Sequence, residues 1–183
     1  VSNVVLEHID ILTDTANEFS TFAKLYSEEP VLIDLDKTLK DQLLIFDNKE
    51  NIRFTYIGME EAYAMAPKPQ FIRVLVNLIT NAIKYTPKGG TVTIGWHDDG
   101  EQGILTVQDT GIGIDPKHLP RLTERFYRVD SARSRQTGGT GLGLAIVKHV
   151  LMQHNAHLEI ESKENQGSLF KVIFPKERLY KML

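Results

Sequence analysis

The chain contains no cysteine. Disulfides and cysteine-ligated metal sites are thereby excluded, and a reducing compartment is compatible with it. No apolar run approaches the ~18–20 residues that span a bilayer, and no stretch reads as a signal peptide. The net charge is only −3, so no global basic field points to nucleic acid. Internal repeats and low-complexity tracts are also missing. What remains is 183 residues with 42% hydrophobic and 25% charged side chains, enough for one packed domain and an appendage.

Val1 to Ser27 reads as one helix. Val5, Ile9, Leu12, Ala16, Phe19, Ala23 and Tyr26 recur at alternating spacings of four and three, a heptad seam that signals pairing with another helix. Packing on its own domain is the blander reading. Pro30–Leu35 reads as a strand, and Asp36 is expected to cap a helix ending near Phe46. Asn51–Gly58 alternates as a strand. Pro69 suits the first turn of a long helix to about Tyr85, with Phe71, Val74, Leu75, Leu78, Ile79 and Ala82 as its buried stripe. Thr91–Asp98 and Gly103–Asp109 form a hairpin through Asp99-Gly100. Residues 114–140 read as loop, with a short helical piece near Leu119–Phe126. A helix from Gly141 to about Asn155 and a hairpin turning at Asn165–Gly167 follow, and the tail from Lys176 is expected to fray. The order β-α-β-α-β-β-loop-α-β-β predicts an α/β fold: a two-layer α/β sandwich with a mixed sheet, helices on one face, and one long helix in front.

Gly138, Gly139, Gly141 and Gly143 crowd into six positions ahead of an apolar helical run. A P-loop would place lysine and Ser/Thr after the last glycine, but Leu144-Ala145 stands there. A dinucleotide fingerprint would need a strand before the glycines, and the preceding run is polar. What survives is an anion site of bare N–H groups at a helix start, with a ligand-free hinge as the alternative. In Gln108–Asp115, Asp109 ends an apolar strand, and Gly111 and Gly113 would let something flat lie against the backbone. The Asp109 carboxylate suits an exocyclic amine; a turn-stabilising role is the alternative. Asn77, Asn81 and Lys84 share one helical stripe, with Tyr85 adjoining. Amide oxygens suit Mg2+ and a lysine suits phosphate, against a helix-cap network near Thr86. Arg121, Arg125, Arg128, Arg133 and Arg135 surround Phe126 and Tyr127 in a polar loop. That loop reads as a lid, with Phe126 latching it by burying its ring and arginines reaching phosphate. For Arg121 and Arg125 a solvated loop is the alternative.

These motifs occur in order with fitting gaps, and together they resemble the catalytic ATP-binding domain of bacterial sensor histidine kinases. The wider superfamily includes gyrase, the Hsp90 chaperones and MutL. Asn77–Tyr85 resembles the N box, Asp109–Gly113 the first glycine box, Glu124–Arg128 the F box and Gly139–Gly143 the second glycine box. The resemblance covers roughly residues 30–175, while residues 1–27 resemble the end of the second helix of a dimerisation and phosphoacceptor hairpin. It implies a Bergerat-type ATP-binding fold, ATP and Mg2+ as cofactors, and donation of the γ-phosphoryl group to a histidine. Asp109 would read the adenine amino group and Ile114 line its pocket. Asn81 would hold Mg2+ with Asn77 nearby. Lys84, Tyr85 and Arg128 would contact phosphate or ribose; Gly139, Thr140, Gly141, Leu142 and Gly143 would cradle the phosphates; Phe126, Arg133 and Arg135 belong to the lid. The implied partners are a phosphoacceptor domain, a response regulator and a second copy through the N-terminal helix, in a cytoplasmic part of a membrane-attached parent. The implied domains are 1–29, 30–176 and a tail, 177–183.

Two departures stand out. His8 is followed by Ile9 and Asp10 with no proline before Pro30, and no other histidine fits a phosphoacceptor box. The chain is thus expected to bind ATP without phosphorylating itself. Residues 1–83 also resemble nitrogen-regulation-type kinases, whereas Pro120–His149 resembles the phosphate-sensing kinase, so a chimera joined near Lys84–Gly90 is expected. Two other functions compete. An ATPase switch of the gyrase or MutL type would carry Glu where Asn77 stands, and an amide cannot accept a proton. A dimerising interaction module with a vestigial nucleotide site would bind no ATP.

Overall fold

Side-chain alternation decides which face of the main sheet is dry. In the computed structural model, which describes residues 5, 6, 8, 9, 12, 13, 15–17, 19, 20, 28–46, 51–129 and 139–180, five strands form that sheet: β2 (Arg53–Ile57), β4 (Thr91–Asp98), β5 (Gln102–Asp109), β6 (His157–Lys163) and β7 (Gly167–Pro175). Their order is β2-β4-β5-β7-β6. β2 and β4 run parallel, and the remaining neighbours are antiparallel, so the sheet is mixed. Tyr56, Ile94, Val107, Phe170 and Ile160 lie opposite one another in one row across all five strands. That row packs into the core with two helices, α2 (Lys68–Tyr85) and α3 (Gly143–Gln153). α2 contributes the expected stripe, Phe71, Val74, Leu75, Leu78, Ile79 and Ala82; α3 contributes Ile146, Val147, Val150 and Leu151. The opposite face is polar: Thr106 pairs in register with Lys171, and Lys171 with Glu159.

A second, three-stranded sheet was not legible in the sequence. β1 (Val31–Asp34), β3 (Tyr63–Ala66) and β8 (Leu179–Tyr180) form it in the order β1-β3-β8. β3 is only four residues long, with Ala64 and Ala66 as its buried members, so it lacks the bulk that marks a strand. β8 corrects the expectation of a frayed tail. Residues 176–178 form a 3-10 turn, Lys176 pairs with Glu101 at 2.6 Å, and Leu179 and Tyr180 pair with β3. Helix α1 (Leu35–Phe46) is capped by Asp34, which accepts the Lys37 N–H at 2.9 Å, rather than by Asp36. Asp36 lies in the first turn and binds Lys40 and the Tyr56 hydroxyl instead.

The described residues between Val5 and Ser20 are helical. Val5, Ile9, Leu12 and Phe19 of the seam are exposed, while Ala23 and Tyr26 lie outside the described residues.

Candidate functional site

The next row of the main sheet changes from apolar to polar midway. Phe54, Val92, Asp109, Ser168 and Ser162 lie opposite one another on β2, β4, β5, β7 and β6. Asp109 thus takes a position that β5 otherwise fills with Leu105 and Val107, and it is only 4% exposed. Its Oδ1 accepts the Gly111 N–H at 2.8 Å, and the carboxylate also accepts the Ser168 N–H. Burial pushes its pKa up, and the two amides pull the other way; among the described residues no cation acts on it. A buried carboxylate balanced only by amides retains acceptor capacity for a donor from outside.

The loop after Asp109 is clamped on both sides. A β-carbon at Gly111 would lie 2.3 Å from the Tyr85 carbonyl oxygen, and one at Gly113 would lie 1.9 Å from that of Lys163. The Ile112 N–H donates to the Tyr85 carbonyl at 3.1 Å, and the Asn165 N–H to the Ile112 carbonyl at 2.7 Å. These glycines admit neighbouring backbone on the side where a side chain would stand. Ile114 follows, partly buried against the core, with its N–H donated to Ser162 Oγ at 2.8 Å.

Tyr85 links this floor to a cationic end. Lys84 is partly buried, and burial first, then the nearby Arg128, lowers its pKa. Arg128 acts on Tyr85 as well, and Lys84 Nζ lies 5.2 Å from the Tyr85 ring centroid. The second glycine cluster packs onto this end. A β-carbon at Gly139 would lie 2.7 Å from Lys84 Nζ, and one at Gly143 3.0 Å from Asn77 Oδ1. Gly141, at φ +73°, would place one 2.9 Å from Phe126 Cα, and its carbonyl accepts the Phe126 N–H at 2.9 Å. The chain thus folds the N box, the F box and the second glycine box onto one another.

Helix α3 begins at Gly143, two residues later than expected, and its start has no side-chain cap. Thr140 Oγ1 accepts the Leu142 N–H at 3.2 Å. The first helical bond runs from the Ile146 N–H to the Leu142 carbonyl, so the amides of Gly143, Leu144 and Ala145 fall outside the helical ladder. These amides, Lys84 and Arg128 supply the donors and positive charge that a phosphate group needs. Asn81, one turn past Asn77 on α2, is partly buried.

Other lid expectations fare differently. Phe126 does not bury its ring: it is 54% exposed at φ +64°, with its centroid 6.4 Å from that of Phe19. The ring turns outward because the Phe126 backbone is what packs against Gly141. Arg121 pairs with Glu124 at 3.0 Å and covers the Tyr127 ring at 4.2 Å. The expected helical piece near Leu119–Phe126 is a 3-10 turn at Pro116–Arg121. Arg133 and Arg135 lie outside the described residues. Ser162, Ser168 and Gly167 were missed in the sequence. A β-carbon at Gly167, at φ +95°, would lie 1.9 Å from the Asp109 carbonyl oxygen. The turn at Asn165–Gly167 was visible; its docking onto Asp109 depends on strand register.

Fold and site define an ATP-binding domain of the sensor histidine kinase type. The profile described as "Histidine kinase-, DNA gyrase B-, and HSP90-like ATPase" matches residues 67–178, and the chain belongs to that family. It is 64% identical over 98 residues to the phosphate regulon sensor protein PhoR of Pseudomonas aeruginosa PAO1, covering 54% of this chain and 22% of the relative. It is 34% identical to the sensor protein SrrB of Staphylococcus aureus N315, over 94% of this chain and 31% of the relative. The chain thus spans under a third of the length of these curated relatives. Full-length ShkA in complex with AMPPNP shares the fold, with a TM-score of 0.79 and 23% identity over 96% of this chain and 37% of that one.

Proposed function

We propose that residues 30–180 bind Mg-ATP and donate its γ-phosphoryl group to a histidine on a dimerisation hairpin, of which residues 1–29 are the closing helix. The observation that carries this reading is one run of contacts with opposite chemistry at its ends. A buried carboxylate accepts at one end, and Lys84, Arg128 and an uncapped helix start offer positive charge at the other. A purine amine donates to Asp109, and the phosphates reach the amides of Gly143 to Ala145. Among the described residues no three His, Asp or Glu side chains gather as a metal site. Asn81, with Asn77 nearby, would hold Mg2+ through amide oxygens, as the resemblance to the N box implies, with phosphate oxygens completing the set. When bound, Mg2+ supplies charge neutralisation at the phosphates. Lys84 and Arg128 hold the phosphate oxygens, and the rest of catalysis is positioning.

The acceptor histidine is supplied by residues outside these 183, and a response regulator takes the group onward. The exposed seam at Val5, Ile9 and Leu12 pairs with a second helix. The domain works on the cytoplasmic side of a membrane-attached parent. Steady hydrolysis is not the expected output, because Asn77 gives water no proton acceptor. The test is phosphotransfer from labelled ATP to a separately supplied phosphoacceptor domain. The expected result is labelled acceptor with slow release of free phosphate; brisk phosphate release without labelled acceptor contradicts the proposal.

A further inference from the structure

We propose that Ser162 is a positioning residue of the nucleotide site, holding the Ile114 amide in the pocket wall and setting the hydroxyl of Ser168 beside Asp109. The proposal rests on the reading of Asp109 as the purine-binding carboxylate.

Ser162 closes the polar row at the edge strand β6, two positions beyond Asp109. Its hydroxyl has three neighbours. The Ile114 N–H donates to Ser162 Oγ at 2.8 Å, the Gly167 carbonyl lies 3.0 Å away as an acceptor, and Ser168 Oγ lies at 2.8 Å. A hydroxyl has one proton and two lone pairs. Only one arrangement satisfies all three neighbours. Ser162 donates to Gly167, and it accepts from both Ile114 and Ser168. In that arrangement the Ser168 proton is committed to Ser162, so Ser168 faces its other neighbours as an acceptor. The Ser168 amide meanwhile donates to Asp109. The floor of the site is then acceptor-only: a carboxylate and a hydroxyl lone pair. Such a floor accepts the exocyclic amine of adenine at the carboxylate and reaches the acceptor N1 beside it through a water that donates to both, and it disfavours a carbonyl oxygen in the amine's place. The same hydroxyl fixes the other wall, because Ile114 ends the loop clamped between Tyr85 and the β6–β7 turn. Ser162 thereby acts through Ile114 and Ser168 and need not touch the nucleotide.

The test is calorimetric titration of the full chain with ADP and with inosine diphosphate, whose base carries a carbonyl in place of the amine and a proton on the neighbouring N1. Wild type is expected to prefer ADP. Ser162→Ala is expected to weaken ADP by roughly 3- to 10-fold, the worth of one to two neutral hydrogen bonds. It is also expected to narrow the ADP preference, which a loss of global stability would not change. Ser162→Thr, which keeps the hydroxyl, is expected to restore both. An unchanged ADP preference in Ser162→Ala, or a Thr variant as impaired as Ala, overturns the proposal while leaving Asp109 in place. No ADP preference in wild type, or full ADP affinity in Asp109→Asn, overturns the reading of the site and this one with it. Should Ser162→Ala fail to fold, amide exchange on wild type decides. A protected Ile114 amide, slowed further by ADP, supports the proposal, and one that exchanges as in an open chain contradicts it.

Discussion

Asp109 is a buried titratable group and His154 a half-buried one, and pH acts on them in opposite directions. Burial raises the Asp109 pKa above 3.8, so the folded chain takes up that proton more readily, and ionised Asp109 lowers stability at neutral pH. His154, at the end of α3, bonds through Nε2 to Gln70 Oε1 of α2 at 2.7 Å, and its Nδ1 is buried without a partner among the described residues. Burial, then Arg178, lowers its pKa below 6.5. A proton there would sit on a buried nitrogen with nothing to receive it. Stability from this bond is therefore complete above about pH 6.5 and falls as pH drops below that value. Thermal melts between pH 8 and pH 5 are expected to show that fall, and His154→Leu to flatten it; an equally steep slope in the variant contradicts the assignment. At this scale the sequence was most legible where chemistry and position coincide. Asp109 stands out as a carboxylate ending an apolar strand and Lys84 as a lysine on one stripe with two amides; the first is buried in the sheet and the second feels Arg128. Ser162 and Ser168 do not stand out, because serines in a hairpin are ordinary until register sets them beside Asp109.

Among the elements, glycines of the same backbone conformation differ in what surrounds them. Gly141 and Gly89 both adopt positive φ, +73° and +84°, but a β-carbon at Gly89 meets nothing within 4 Å, whereas one at Gly141 meets the Phe126 backbone. The pair separates conformational cost from packing. Gly89→Ala is expected to cost about 1 kcal/mol with nucleotide affinity intact. Gly141→Ala is expected to cost more and to weaken nucleotide binding, because it pushes the F box off the start of α3. Urea unfolding and nucleotide titration of both variants check this; equal effects would contradict it. α2 was legible throughout from its apolar stripe and Pro69. β3 and β8 were not, since strands of four and two residues carry almost no periodic signal.

The molecule as a whole has two layers, and one row of its main sheet turns from apolar to polar at Asp109. Val92 and Phe54 continue that row as apolar packing. The N-terminal helical residues remain apart in character, with an exposed seam and one aromatic contact, Phe19 to Phe126, onto the loop beside the site. Sequence order foretold the mixed sheet and its helix-covered face, since hairpin signals and helical stripes are local. It did not foretell which glycines meet which backbone, since those contacts join segments far apart in the chain.

The central claim is that Asp109 receives a purine amine while Lys84, Arg128 and the start of α3 receive the phosphates. Calorimetric titration of wild type and Asp109→Asn with Mg-ATP tests it most directly. The amide keeps the size of the carboxylate and an oxygen for the Gly111 amide, so the fold is expected to hold. ATP affinity is expected to fall by about 10- to 100-fold, the worth of a hydrogen bond to a charged acceptor. Unchanged affinity in a folded Asp109→Asn chain would contradict the claim.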